Sequence, residues 1–223
     1  MDQIKYILLL LIVFISTDLF SQENRDPERE IKFALIEASR LKAMGNIEET
    51  IKLYKTCVNS YPDCAVAWYE LGSIYAGNGL DVEAEKYLHN AYLLDKKNYW
   101  FVIAYTDLLS RNKKFKEAVK ILNKSVKNFP DEEILLKYRT VENYYDLRKF
   151  NKSIKVIEEL EKKFGYSQII TARKIEILKV IGNHKNIIKE FNDVIAKEPE
   201  NITFNIMYAE YLVEKKLIKE AIE

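Results

Sequence analysis

The chain has 223 residues, of which 48% are hydrophobic and 31% charged, and it contains only 6 Gly and 4 Pro. This composition is typical of a folded, helix-rich protein and argues against intrinsic disorder. The 35 Lys and Arg residues nearly balance the 34 Asp and Glu residues, for a formal net charge of +1. The excess of positive charge that gives nonspecific affinity for nucleic acid is therefore missing.

The N-terminus carries a short apolar run over residues 7–15, which polar residues follow. As a helix this run would span about 14 Å, well short of the roughly 30 Å hydrocarbon core of a bilayer. We therefore predict a cleavable secretory signal peptide over residues 1–21, with Ser21 before the cut, rather than an uncleaved anchor. The "FSQ" ending resembles signal peptides of the Bacteroidetes. We expect the mature chain to be exported, as a periplasmic or secreted protein, with a linker over residues 22–30.

A repeat of about 34 residues begins at Ile31. Five similar stretches end in turns that step along the chain by 34, 34, 35 and 34 residues, at Pro62, Lys96, Pro130, Gly165 and Pro199. Because proline lacks an amide hydrogen and disfavours a helical residue before it, a proline at a fixed offset indicates a fixed chain turn. The predicted repeats are 31–64, 65–98, 99–133, 134–167, 168–201 and a partial 202–223. The single extra residue leaves the helix register of the fourth repeat open by one position.

The second repeat carries a distinctive set of large and small residues: Trp68, Leu71, Gly72, Tyr75, Ala84, Leu88 and Ala91. This set resembles the signature of the tetratricopeptide repeat family, and the resemblance extends over residues 31–223. It implies an all-α fold, a right-handed α-solenoid of stacked antiparallel helix hairpins. In such a hairpin Gly72 and Ala84 are expected where the two helices approach closely.

The sixth repeat stops inside its second helix, which would leave an apolar stripe of Tyr208, Leu212 and Ile218 uncovered. The chain is then either a fragment of a larger protein, or something covers that end.

Cys57 and Cys64 are the only cysteines, and a turn separates them. In an oxidising compartment this spacing permits a disulfide without requiring one. The simpler interpretation is a small buried Cys57 and a half-exposed Cys64.

Few residues suggest chemistry. The only histidines, His89 and His184, lie in unrelated repeats and are interpreted as surface residues without partners. No glycine-rich phosphate loop, metal-ligand motif or nucleophile paired with a histidine occurs in the sequence. We therefore expect a protein that is not an enzyme and that uses no cofactor or metal.

The family resemblance implies a concave surface lined by the second, fifth, ninth and twelfth residues of the first helix of each repeat. Four successive ninth positions are acidic: Asp107, Glu142, Glu176 and Glu210. The predicted apolar and aromatic part of this peptide-binding groove consists of Tyr69, Trp100, Ile103 and Tyr138. Arg139 and Arg173 partly counter the acids. Some family members bind the C-terminal carboxylates of chaperones with a clamp of Lys and Asn residues. Leu35 occupies the position of the first Lys of that clamp, so the clamp is not expected here.

These features predict a non-catalytic protein–protein interaction scaffold or adaptor in the cell envelope, which binds a peptide or protein segment in the groove. The expected partner presents Lys or Arg among apolar residues, and nucleic acid is not expected. A membrane contact is expected only through the transient signal peptide or through a further C-terminal part of the protein. The alternative is the N-terminal periplasmic module of a larger outer-membrane or sensor protein. A repeat-bearing enzyme with its catalytic domain further along the gene is a third class.

Overall fold

A computed structural model describes residues 26–216. The predicted signal peptide, the first residues of the linker and residues 217–223, including Ile218, lie outside the described part. Within it the chain forms helices that pair into antiparallel hairpins: α1 (Pro27–Ala43), α2 (Ile47–Ser60), α3 (Ala65–Gly77), α4 (Asp81–Leu94), α5 (Tyr99–Arg111), α6 (Phe115–Ser125), α7 (Glu133–Asp146), α8 (Phe150–Phe164), α9 (Gln168–Ile181), α10 (His184–Lys197) and α11 (Ile202–Glu214). A short 3-10 turn, Pro130–Glu132, precedes α7.

Helix α1 begins earlier than the first predicted repeat. Asp26 caps it by accepting a hydrogen bond from the Glu28 amide at 3.1 Å, and Pro27 occupies the first helical position. An acceptor at the cap and a proline in the first turn together favour a helix start. Residues 27–30, which the sequence assigned to a linker, are therefore helical.

Each hairpin turns through one residue with a positive φ angle. These residues recur at the same offset in every repeat and are Gly45, Gly79, Lys113, Arg148, Gly182 and Lys216. In the second hairpin the Gly79 amide donates to the Ala76 carbonyl and the Leu80 amide to the Tyr75 carbonyl. This pattern closes the last carbonyls of a helix and needs a left-handed residue at its centre.

These turns settle the register of the fourth repeat. The first helices of the second to sixth repeats begin at residues 65, 99, 133, 168 and 202. The extra residue lies at the start of α7, next to the 3-10 turn. It does not lie between the ninth position of α7 and the hairpin turn at Arg148. The residue six positions before each left-handed residue is Ser39, Ser73, Asp107, Glu142, Glu176 or Glu210, so Glu142 occupies the same register as the other acids.

The chain divides into two compact units, and Leu109 begins the second. The core of the first unit is built from α1, α2 and α3 and contains fully buried Ala38, Ala67 and Leu71. Gly72 lies against Leu88 on α4, and Trp68 donates a hydrogen bond of 2.7 Å from its indole nitrogen to the Pro62 carbonyl. The signature residues of this unit thus serve packing.

The second unit has two adjoining apolar clusters, one around Val141, Ile157 and Ile177 and the other around Phe191. Tyr208 stacks on Phe191 with ring centroids 4.8 Å apart, and Leu212 is only 2% exposed. The expectation that these two residues form an uncovered stripe is therefore wrong. Leu212 is buried and Tyr208 is half-buried against the preceding hairpin, because both side chains point back into the stack.

Both cysteines are free and buried. Cys64 is 8% exposed, so its predicted half-exposure is wrong. Burial, followed by the hydrogen bond and electrostatic interaction with Cys64, raises the pKa of the Cys57 thiol to about 12. At neutral pH Cys57 is a protonated, packed thiol.

Within residues 26–216, no helix combines the length and apolar character that crossing a membrane requires.

Candidate protein-interaction face

In the second unit, the second, fifth and ninth positions of α7, α9 and α11 lie on one side of each helix, because they are spaced by three and four residues. We call these residues, together with Arg173, the unit 2 face; they are Leu135, Tyr138, Glu142, Ile169, Ala172, Glu176, Thr203, Ile206 and Glu210. Positions in α7 are counted from Ile134, because the extra residue of the fourth repeat is the first residue of that helix.

The N-terminal half of this face is apolar and accessible. Leu135 is 51% exposed, Ile169 is 71% exposed and Ile206 is 53% exposed. Tyr138 lies half-buried one turn further along α7. Leu135 and Ile169 hold the second position of consecutive first helices, and Ile206 holds the fifth position of the next, where the second position is Thr203. Large aliphatic side chains on the same side of three consecutive first helices make an apolar row, whereas scattered surface residues of this kind would have no significance.

The other half of the face is organised by Arg173. Its guanidinium donates to both carboxylate oxygens of Glu142, from Nε at 2.8 Å and from Nη2 at 2.6 Å. The remaining Nη1 donates to Glu176 at 2.8 Å. The guanidinium also lies 4.2 Å from the ring centroid of Tyr145. A planar fork that meets a carboxylate with two parallel bonds is the strongest geometry available to such a pair.

Arg173 also shapes the ionisation of its surroundings. Burial opposes its charge, but the hydrogen bonds that it donates to Glu176 and Glu142 outweigh burial and raise its pKa. Burial, followed by the negative charge of Glu142, raises the pKa of Tyr138, which therefore remains a neutral hydrogen-bonding group at physiological pH.

Glu210 differs from the other two acids of this face. It is exposed on α11 and makes no ion pair within the described residues. The predicted acidic row of the second unit thus consists of two carboxylates that share Arg173 and one that remains solvated.

The first unit contains the other predicted site residues. Tyr69 is half-buried and packs on Phe101 with centroids 5.1 Å apart. Trp100 is 65% exposed and meets Tyr99 edge-on at 5.5 Å. Asp107 is exposed.

Ile103 does not line a surface. It is 8% exposed, and on the same helix Phe101 and Val102 are also buried. Helix α5 is covered on most of its sides, so a fifth-position residue there belongs to the core. The prediction of Ile103 as a groove residue is wrong.

The sequence interpretation missed most of the apolar row. Only Trp100 was chosen among second-position residues, although Val66, Leu135 and Ile169 hold the same offset in neighbouring repeats. A large apolar residue at one offset in four successive repeats was the signal that could have found them.

The described residues offer little for catalysis. They contain no group of three or more His, Cys, Asp or Glu side chains placed to hold a metal ion. Contrary to expectation, both histidines have aromatic partners. His89 packs on Tyr105 with centroids 5.2 Å apart, and His184, the first residue of α10, shares a hydrogen bond with the Tyr211 hydroxyl through Nδ1.

No protein-family model matches the chain, and a search of curated proteins finds no match. Solved structures do resemble it. A tetratricopeptide repeat protein from Parabacteroides merdae is 15% identical with a TM-score of 0.65, over 87% of this chain and 77% of that one. YrrB, described as a tetratricopeptide repeat protein with an unusual peptide-binding site, is 14% identical with a TM-score of 0.62, over 88% and 97% of the two chains.

The chain has the tetratricopeptide repeat fold. MamA from Desulfovibrio magneticus RS-1 extends the comparison, at 16% identity and a TM-score of 0.61, over 77% of this chain and 97% of that one. The predicted fold class, an all-α solenoid of stacked helix hairpins, is confirmed. At sequence identities this low, the comparison shows only that the fold is shared and says nothing about function.

Proposed function

We propose that this tetratricopeptide repeat protein is a non-catalytic interaction scaffold, and that a segment of a partner protein binds the unit 2 face. The observation that carries the proposal is the row of exposed Leu135, Ile169 and Ile206 beside a row of carboxylates. Covering exposed aliphatic side chains of this size is worth about 1 kcal/mol or more each. Affinity would therefore come mainly from the apolar half of the face.

The charged half defines the partner. Among the residues of the unit 2 face, the three carboxylates of Glu142, Glu176 and Glu210 outnumber the guanidinium of Arg173, so negative charge is left over. A segment that alternates apolar residues with Lys or Arg would match both halves. Exposed charges of this kind mainly govern association rate and orientation, while apolar anchors govern dissociation.

The peptide-binding site described for YrrB supports a protein ligand for this fold, without indicating which surface is used here. We also propose that the chain is exported, as the N-terminal sequence suggests. The mass of the intact protein from a native-like host tests that proposal, because retention of residues 1–21 would contradict it.

Variants of the unit 2 face test the binding proposal. A partner captured from the native host is titrated against the wild type, against Leu135→Ser/Ile169→Ser and against Glu142→Gln/Glu176→Gln/Glu210→Gln. We expect the aliphatic variant to dissociate about tenfold faster and the acid variant to associate several-fold more slowly at low salt. The salt dependence should be moderate, since exposed ion pairs contribute only about 0–1 kcal/mol each.

Matched controls use residues on other surfaces. Val82→Ser alters an aliphatic side chain on α4 that is 82% exposed. Glu83→Gln/Glu158→Gln/Glu200→Gln removes the same amount of charge from exposed positions elsewhere. If the controls alter binding as much as the face variants do, the partner does not bind the unit 2 face.

A further inference from the structure

A second surface of the second unit has the opposite charge. It lies at the turns inside the hairpins, where the left-handed position is Gly in three repeats but Lys113, Arg148 or Lys216 in the others. A side chain at positive φ costs about 1 kcal/mol relative to glycine. Cations therefore occupy backbone positions that do not favour any side chain.

One of these turns opens into a pocket. The pocket has a volume of about 520 Å³ and lies between the start of α8 and the end of α9. Its apolar wall comes from Phe150 and from Val180 and Ile181, which are 52% and 39% exposed. A cavity of this size is large enough for one or two side chains of a partner.

The rest of the pocket lining is strongly basic. Arg148, Lys149 and Lys152 all line it, and no acidic residue does. Within the described residues none of the three belongs to an ion pair, although Lys152 lies 5.8 Å from the ring centroid of Tyr144.

The position of these cations adds to the positive electrostatic potential of the pocket. They surround the start of α8, where backbone amides already produce a positive potential. The second helices of the first three hairpins carry acids in their first turn: Glu48 and Glu49 on α2, Asp81 and Glu83 on α4, and Glu117 on α6. Helices α8 and α10 carry none there. Three like charges therefore line the pocket without an ion-pair partner among residues 26–216.

We propose that this pocket docks an acidic segment of a partner protein, with an aliphatic side chain against Val180 and Ile181 and neighbouring carboxylates on Arg148, Lys149 and Lys152. A protein segment fits better than a bilayer or a nucleic acid for two reasons. The pocket is concave with apolar walls of side-chain size, and the chain as a whole has a net charge of only +1. This surface is distinct from the unit 2 face and selects the opposite charge.

The test uses two synthetic fluorescent peptides, one with pairs of Glu separated by single Leu residues and one with Gln in place of every Glu. Binding is followed by fluorescence anisotropy and by methyl NMR of Val180 and Ile181. We expect the acidic peptide to bind saturably and to shift both methyl signals, and the Gln peptide to bind about tenfold more weakly or not at all.

The decisive variant is Arg148→Gly/Lys149→Gln/Lys152→Gln, which removes the charge and keeps a residue that accepts positive φ at the turn. This variant should bind the acidic peptide about tenfold or more weakly than the wild type does. The matched control, Lys120→Gln/Lys124→Gln/Lys162→Gln, removes equal charge from exposed positions outside the pocket and should bind like the wild type.

Three results would overturn the proposal. The first is that the acidic peptide shows no saturable binding up to millimolar concentration. The second is that the pocket variant and the control variant lower the affinity for the acidic peptide equally. The third is that anionic vesicles or single-stranded DNA depend on the pocket cations while the acidic peptide does not, which would assign the surface to a different class of partner.

Discussion

A β-carbon added to Gly72 would lie 2.5 Å from Cγ and 2.9 Å from the backbone nitrogen of Leu88. Since one of these atoms is backbone, rotation of the Leu88 side chain cannot relieve the contact. We expect Gly72→Ala to lower the free energy of unfolding by about 1–3 kcal/mol through overpacking. Urea denaturation measures this, and a loss below about 0.5 kcal/mol would mean that α3 and α4 separate without cost.

Gly77 and Gly79 allow a paired test of backbone conformation. A β-carbon at either residue would meet no atom within 4 Å, but only Gly79 has a positive φ, of 73°. Gly79→Ala should therefore destabilise the protein by about 1 kcal/mol. Gly77→Ala, at the end of α3, should stabilise it by up to about 1 kcal/mol. Thermal melts of the two variants should shift in opposite directions, and equal shifts would contradict the turn geometry.

We expect Glu133 to make a pH-dependent contribution to the free energy of unfolding. It accepts hydrogen bonds from Lys163 at 2.5 Å, and this bond, with the charges of Lys163 and Lys137, holds its pKa below the ordinary value of 4.5. A lowered carboxyl pKa stabilises the fold above the unfolded value and loses that contribution as the pH falls through the folded value. Glu133→Gln should thus cost about 1 kcal/mol at neutral pH and nothing once the pH is well below 4.5.

The control for Glu133 is Glu159→Gln. Glu159 also accepts from a lysine, Lys137, at 3.1 Å, but its side chain is 48% exposed, whereas that of Glu133 is 9% exposed. Its effect should be smaller at every pH, because solvent screens the pair. A larger effect than that of Glu133→Gln would contradict the ranking by burial.

Arg173 competes with any basic partner for Glu142 and Glu176. If the unit 2 face receives Lys or Arg, Arg173→Gln should speed association at low salt, because both carboxylates lose their internal counter-charge. Lys155→Gln, which alters an exposed cation on α8, should leave the rate unchanged. Slower association of the Arg173 variant would instead mean that its main role is to hold the acids in position.

Sequence periodicity predicted the repeat because the chain must turn at the same place between successive hairpins, and Pro62, Pro130 and Pro199 mark three of those turns. It did not reveal that Lys113 and Arg148 occupy left-handed positions, since only backbone angles show that. Arg173 was recognised as a counter-charge, but its bidentate contact with Glu142 depends on how α7 packs against α9.

The errors share a cause, which is that exposure depends on neighbouring helices and not on offset alone. Ile103 has the offset of a surface residue, yet α5 is covered around it. Cys64 was expected to be half-exposed and Leu212 to lie on an uncovered stripe, and both are buried. The partner of His184, Tyr211, lies 27 residues later in the chain, on the next helix, α11.

Site-specific photo-crosslinking in the native host tests the central claim, that the unit 2 face binds a protein segment. A photoreactive residue is placed at Ile169, which is 71% exposed on that face. In a separate variant it is placed at Glu158, which is exposed on α8, the second helix of the fourth hairpin. We expect a discrete crosslinked protein from position 169, weakened by the Glu142→Gln/Glu176→Gln/Glu210→Gln background, and none from position 158. Crosslinks from position 158 with none from position 169 would contradict the account.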